Sequence, residues 1–136
     1  MMTIRGIAHM AITVRDMEKS LAFYCDQLGF DHAFQVKDEK GNPWIEYVKV
    51  APKQYIELFH GGNERPEEPD KAIGFHHVCL LVESVADTAK ALEDQGVPLT
   101  VQPKRGLGKN WQCWVNDPDG NRIEFLEPDG DSPHNQ

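Results

Sequence analysis

The stretch GFHHVCLLV, residues 74–82, matches GIAHMAITV, residues 6–14, when the chain is shifted on itself by 68 residues. The shift places His9 on His77. One residue is then lost within a helical segment, and a shift of 67 continues the match without a further gap. An internal repeat of this length indicates a duplicated structural unit. The chain is therefore predicted to consist of two modules with the same fold.

Each copy is predicted to contain a strand, a helix and three further strands. The helices lie at 16–28, with Asp16 as N-cap, and at 85–95, and they end before Gly29 and Gly96. The predicted strands lie at 7–14, 30–36, 43–50 and 54–60 in the first copy, and at 75–82, 97–102, 110–117 and 122–128 in the second. The resulting fold class is α+β.

The predicted domain organisation is a single domain over residues 1–136. It comprises a module at 4–60, a linker at 61–73, a module at 74–128 and a tail at 129–136. The linker is rich in Gly, Pro and Glu and is expected to be flexible, and the polar tail is expected to fray.

Composition excludes several classes of function. A net charge of -8 argues against nucleic acid as a partner, because such binding depends on clustered Lys and Arg. The sequence has neither an apolar segment of membrane-spanning length nor a signal peptide, so we expect a cytoplasmic protein without a membrane partner. The three cysteines, Cys25, Cys79 and Cys113, are expected to be reduced core thiols without a catalytic role.

The repeat also identifies candidate site residues. The first strand of each copy supplies a histidine, His9 or His77, and the last strand supplies a glutamate, Glu57 or Glu124. A carboxylate among Ile, Leu and Phe is costly to bury unless a cation or hydrogen bonds compensate it. Two imidazoles and two carboxylates form a ligand set for a borderline divalent ion. Because neighbouring strand residues alternate between faces, His76 is expected to face away from His77.

The motifs HMAITVRDMEKSLAFYCDQLGF, YIELF, HHVCLLVESV and NDPDGNRIEFLEP resemble those of the vicinal oxygen chelate superfamily, from Ile4 to Pro128. This superfamily includes glyoxalase I, methylmalonyl-CoA epimerase, extradiol dioxygenases and bleomycin- and fosfomycin-resistance proteins. The resemblance implies two tandem βαβββ modules that form an open, cup-shaped mixed sheet. It also places His9, Glu57, His77 and Glu124 at the metal-ligand positions, with one ion per site: Ni, Co or Zn, with Fe or Mn as alternatives.

Glu57 indicates the type of reaction. In this superfamily, glyoxalase I-like enzymes have a carboxylate at its position, epimerases have an amide, and dioxygenases and fosfomycin-resistance proteins have only one Glu. The expected function is therefore a glyoxalase I-like (lactoylglutathione lyase-like) lyase or isomerase. It would move a proton between adjacent carbons of a small α-oxo or hydroxy substrate, with Glu124 as the first choice of base and Glu57 as the second. The alternatives are an epimerase, an Fe(II) extradiol dioxygenase and a bleomycin-resistance-type binding protein.

The resemblance leaves the substrate open. Thr13 and Gly61 stand where bacterial glyoxalase I has an arginine and an asparagine that help to hold glutathione. The segment 103–111 offers substrate contacts for an anionic molecule, and the candidates are Lys104, Arg105, Lys109 and Trp111. Members of the superfamily commonly pair modules across two chains, so a homodimer is expected, with each site either in one chain or shared.

Overall fold

The computed structural model describes residues 1–136 and contains two compact units, Met1–Glu64 and Arg65–Gln136. Each unit has its own four-stranded mixed sheet. The predicted α+β class and the two tandem βαβββ modules are confirmed.

The first unit forms a sheet with the strand order β1-β4-β3-β2, in which β1 is parallel to β4 and the other pairs are antiparallel. Its elements are β1 (His9–Thr13), α1 (Met17–Leu21), a π-helical segment (Ala22–Gln27), β2 (Asp31–Lys37), β3 (Pro43–Ala51) and β4 (Gln54–Phe59). The side chain of Asp16 caps α1 by accepting from the backbone N–H of Lys19 at 3.2 Å, as predicted. Gly29 ends the helical region with φ = 81°.

The second unit repeats this topology with the order β5-β8-β7-β6. Its elements are β5 (His77–Leu81), α2 (Val85–Asp94), β6 (Val101–Arg105), β7 (Asn110–Asn116), β8 (Arg122–Pro128) and a short 3₁₀ helix (Pro133–Asn135). The strand predicted at 97–102 was misplaced, because β6 begins only at Val101. The backbone N–H of Val97 donates to the carbonyl of Leu92 at 2.9 Å, so this buried residue closes the end of α2 instead of beginning β6.

The strands that carry the candidate glutamates are buried on both faces. In β4, Ile56 and Leu58 lie on one face, and Glu57 lies on the other, opposite Tyr47 of β3. In β8, Glu124 lies opposite Trp114 of β7 and alternates with buried apolar residues. This alternation fixes which face of each sheet receives the glutamate.

The prediction that the tail frays was wrong. Ser132 is fully buried, and its hydroxyl donates to the side-chain carbonyl of Asn110 at 2.6 Å. Two ion pairs, Arg105–Asp129 and Lys109–Asp131, also join β6 and the following loop to the tail. These long-range contacts stabilise a segment whose composition alone resembles a disordered end.

Neither α1 nor α2, nor any other helix, has the length and apolar character that crossing a membrane requires.

Candidate active site

His9 and Glu57 form a close pair in the first unit. They lie on the adjacent parallel strands β1 and β4, and Nε2 of His9 is 2.9 Å from Oε1 of Glu57. Glu57 is 7% exposed, whereas 44% of the His9 side chain is exposed. Because a carboxylate only accepts hydrogen bonds, Nε2 of His9 is the donor. The buried carboxylate is thus compensated by an imidazole that solvent can reach.

Tyr47 provides a second donor to Glu57. Its hydrogen bond to the Glu57 carboxylate, followed by burial and the carboxylate charge, raises the pKa of the Tyr47 phenol. The ring of Tyr47 packs edge-on against His9 at 5.9 Å and stacks on Phe34 at 4.2 Å. Glu57 is therefore held from two sides, and an aromatic surface adjoins it.

His77 and Glu124 form the equivalent pair in the second unit, on the adjacent parallel strands β5 and β8. Nε2 of His77 lies 3.3 Å from Oε1 of Glu124, which is 9% exposed. Cys79 lies directly opposite Glu124; although the residue is exposed, partial shielding of its thiol from water, followed by the charge of this carboxylate, raises the pKa of Cys79 to about 12. The neighbours of Glu124 are therefore a more distant imidazole and a protonated thiol, which is a weak donor.

Two sequence expectations near this pair were wrong. Cys79 is exposed and is not a core residue, although Cys113 is buried, and all three cysteines are free. His76 does not face away from His77: their Nδ1 atoms are 2.6 Å apart. The alternation of side chains holds only within a strand, and β5 begins at His77, so His76 is free to turn toward it.

The cations of the segment 103–111 occupy different surroundings. Lys104 lies opposite Gln112, on the face of the sheet that carries Glu124. Arg105 forms an ion pair with Asp129, and Lys109 forms one with Asp131 at 3.1 Å. Of these three cations, Lys104 is the one on the Glu124 face without an ion pair.

Trp111 lies opposite Arg105 on β6 and opposite Glu127 on β8. This register places it on the face of the sheet opposite Glu124. It is 41% exposed. Trp114, three residues further on, is the tryptophan that packs against His77, with ring centroids 4.6 Å apart.

Sequence reasoning missed a cluster around Glu46. Its carboxylate, whose side chain is 2% exposed, lies 2.9 Å from Nε2 of His32 and 2.8 Å from Nε2 of His60. The Gln35 amide donates to both of its oxygens. The signal was a glutamate in an apolar strand, with one histidine in the neighbouring strand β2 and another directly after β4. The repeat hides it, because a shift of 67 places Glu46 on Cys113.

The donor atoms fit a borderline divalent ion. Imidazole nitrogen and carboxylate oxygen are the ligand types such ions take, and each buried glutamate already lies against a histidine. The four predicted ligands occur as two pairs, one in each unit. No group of three or more His, Cys, Asp or Glu side chains is arranged to hold a metal ion.

These features of sequence and fold define a class of protein. Residues 6–125 match the model of the Glyoxalase/Bleomycin resistance protein/Dioxygenase superfamily. The chain belongs to this superfamily.

Individual relatives are similar over nearly the whole chain. The "Probable lactoylglutathione lyase" of Synechocystis sp. is 32% identical over 126 residues, which cover 89% of this chain and 94% of the relative. The crystal structure of a glyoxalase family protein from Enterococcus faecalis has a TM-score of 0.75 at 27% identity and covers 93% of this chain and 100% of its own. TnmS3, an antibiotic binding protein from Streptomyces sp. CB03234, shares the fold with a TM-score of 0.75 at 24% identity, covering 95% of this chain and 100% of its own.

Proposed function

We propose that this protein is a divalent-metal-dependent, glyoxalase I-like lyase or isomerase that moves a proton between adjacent carbons of a small α-oxo or hydroxy substrate. The observation that carries the proposal is that a buried glutamate lies against a solvent-accessible histidine in both units, at equivalent positions of the repeat. Together the two pairs supply two imidazoles and two carboxylates, the ligand types that borderline divalent ions take. The similarity to lactoylglutathione lyases supports the same reaction class.

The proposed ligands are His9, Glu57, His77 and Glu124, and the proposed ion is Ni, Co or Zn. Bound by them, the ion would supply Lewis-acid stabilisation of negative charge on the substrate oxygens. Both histidines are accessible enough to bind through Nε2, since 44% of the His9 side chain and 29% of the His77 side chain are exposed. Binding would displace the Nε2 proton that each carboxylate accepts in the free protein.

Glu124 is the proposed base. It must release its partners to take a proton from one carbon and return it to the next. The nitrogen of His77 lies 3.3 Å from Glu124, whereas Glu57 has a histidine at 2.9 Å and the Tyr47 hydroxyl as well. The more weakly held carboxylate is the better candidate to move a proton, and Glu57 is better suited to remain a ligand.

The test is metal analysis followed by an activity assay. Protein purified without chelator or a metal-affinity tag should contain close to one Ni, Co or Zn per site. It should also convert the adduct of methylglyoxal and glutathione. Glu124→Gln should lose activity by at least about 100-fold, the usual contribution of a general base. Glu57→Gln should mainly lower metal affinity, and Glu83→Gln, an exposed control, should change neither.

Three results would contradict the proposal. Full activity of Glu124→Gln would show that Glu124 is not the base. Bound Fe(II) with oxygen consumption on a catechol would indicate a dioxygenase. Absence of metal and of affinity for added metal would leave a small-molecule binding protein on this fold. We further propose a homodimer, which light scattering of the purified protein measures directly.

A further inference from the structure

The second unit contains a cavity of about 360 Å³ on its sheet. This volume is within the range of small-molecule sites. Its polar and aromatic lining comes from β6, β7, β8 and the residue before β6, and consists of Thr100, Lys104, Gln112, Trp114, Asn116 and Arg122.

Hydrogen-bond donors predominate in this lining. The side-chain carbonyl of Gln112 accepts from the indole N–H of Trp114 at 2.7 Å, so the amide NH₂ of Gln112 remains available to donate. Nε of Arg122 is buried and has no hydrogen-bond partner. Leaving a buried donor unsatisfied is unfavourable, and a ligand with acceptor oxygens would relieve the penalty.

The charge of the cavity matches a monoanion. Lys104 and Arg122 supply two positive charges, and no carboxylate lines the cavity. Asp70, which is exposed, contacts Nη2 of Arg122 at 3.0 Å and offsets one of them. A single net positive charge suits a carboxylate better than a doubly charged phosphate.

The cavity is next to the proposed base. Arg122 and Glu124 are two residues apart on β8 and therefore lie on the same face, about 7 Å apart along the strand. Their cross-strand neighbours on β7, Asn116 and Trp114, both line the cavity. An anionic group at Arg122 would thus place carbons a few bonds away beside Glu124.

We propose that this cavity is a carboxylate subsite, in which Arg122, Lys104 and the Gln112 amide bind the carboxylate of the substrate while its reacting carbons lie beside Glu124. The substrate class is then a short α-oxo or hydroxy compound with a carboxylate several bonds from the reacting carbons. The assignment of the reacting carbons rests on the proposed function, but binding of the carboxylate does not require turnover.

The test measures binding to the full chain without a catalytic readout. The probe is 5-oxohexanoate, a ketone separated from its carboxylate by three methylenes, and the uncharged control is 5-oxohexanamide. The indole N–H resonance of Trp114, assigned with Trp114→Phe, reports occupancy of the cavity. We expect saturable shifts with 5-oxohexanoate and at least about tenfold weaker binding of the amide, in keeping with the strength of charge-assisted hydrogen bonds.

Variants test whether 5-oxohexanoate binds through the residues that line the cavity or is attracted by any positive charge on the surface. Arg122→Gln should weaken 5-oxohexanoate binding by about tenfold or more, and Lys104→Met, which breaks no ion pair, by about threefold to tenfold. Lys19→Met, at an exposed lysine of α1 that also forms no ion pair, is the matched control and should bind like the wild type. Inorganic phosphate should bind more weakly than the carboxylate.

Equal binding of acid and amide would overturn the proposal, as would unchanged binding in both the Arg122 and Lys104 variants, or no binding by the wild type. If inorganic phosphate binds more tightly than 5-oxohexanoate, the carboxylate assignment is wrong and the ligand of the cavity is a phosphate ester. Carboxylate binding without isomerase activity would support this subsite and contradict the proposed function. Isomerase activity on an uncharged substrate, without binding of the carboxylate, would support the proposed function and contradict this subsite.

Discussion

Nδ1 of His76 lies 2.6 Å from Nδ1 of His77, the imidazole whose Nε2 faces Glu124. Nη2 of Arg122 in turn lies 2.6 Å from Nε2 of His76. His76 therefore links Arg122 to a proposed metal ligand and holds the imidazole of His77 in place.

Replacing His76 should weaken metal binding although it is not a proposed ligand. We expect His76→Ala to lower the affinity for Zn or Ni by roughly 10-fold or more, the usual effect of losing a residue that orients a ligating histidine. A competition titration against a chromophoric chelator measures the affinity. His134→Ala, a histidine in the 3₁₀ helix of the tail, is the control. Equal affinities in the two variants would show that His76 does not act through His77.

The cluster around Glu46 should stabilise the first unit. Burial alone would raise the pKa of this carboxyl, but hydrogen bonds from His60, Gln35 and His32 outweigh it and lower the pKa. Glu46→Gln should reduce the free energy of unfolding at pH 7 by roughly 1.5–3 kcal/mol, the range for hydrogen bonds to a charged group. Urea denaturation of the variant and of the wild type measures the difference.

The loss should depend on pH in a defined direction. The pKa of Glu46 is lower in the folded than in the unfolded chain. Its stabilisation is therefore fully present above the unfolded value of about 4.3 and disappears as the pH falls through the folded value. The difference between wild type and Glu46→Gln should shrink in acid. Glu68→Gln, at an exposed ion pair, should cost under about 0.5 kcal/mol. If the loss of stability in Glu46→Gln does not change with pH, Glu46 is not ionised in the folded protein.

The repeat made the order of elements in each module and the four candidate residues predictable from sequence. Each element was read twice, and His9 and His77 supported one another where either alone would be an ordinary strand residue. The glutamates in the YIELF and RIEFL strands gained the same support. Apolar runs bounded by turn residues also located seven of the eight strands closely.

Features that occur in only one copy could not be predicted in this way. The Glu46 cluster has no counterpart, and the cavity at Arg122 depends on β6, the strand whose start was misplaced. The tail is ordered by contacts such as that of Ser132 with Asn110, which is 22 residues earlier in the chain. Long-range pairs between polar side chains leave no periodic signal in a single sequence.

Tyr47 should stabilise Glu57 through its hydroxyl. Tyr47→Phe removes the hydrogen bond to a nearly buried carboxylate and should reduce the free energy of unfolding by about 1.5 kcal/mol. In the wild type, Tyr47 should ionise above the ordinary tyrosine pKa of about 10, and absorbance titration should lose its component in the variant. Tyr55→Phe, in the same aromatic surface, is the matched control. If both variants lose the same stability and titrate alike, the hydroxyl of Tyr47 does not hold Glu57.

Two turns share a pair of backbone hydrogen bonds but differ in burial and in one further bond, which the side-chain amide of Asn121 donates to Oδ2 of Asp117 at 2.9 Å. Oδ1 of Asp117 accepts from the backbone N–H groups of Asp119 and Asn121 at 2.9 and 2.8 Å, and Oδ1 of Asp38 accepts from two N–H groups at 2.9 Å in the equivalent positions. Asp117 is 5% exposed, whereas Asp38 is exposed. Asp117 also precedes β8, the strand that carries Glu124.

Asp117→Ala should therefore cost more stability than Asp38→Ala. Removing the buried carboxylate leaves backbone donors that water reaches poorly and also removes the bond from the Asn121 amide. We expect a loss of roughly 2–3 kcal/mol, against about 1 kcal/mol or less at the exposed turn. Urea denaturation of the two variants provides the comparison. The Asp117 variant should also lose more activity, because a loosened turn displaces the start of β8 and with it Glu124. Equal losses of stability at the two turns would mean that neither burial nor the bond from Asn121 strengthens the turn at Asp117.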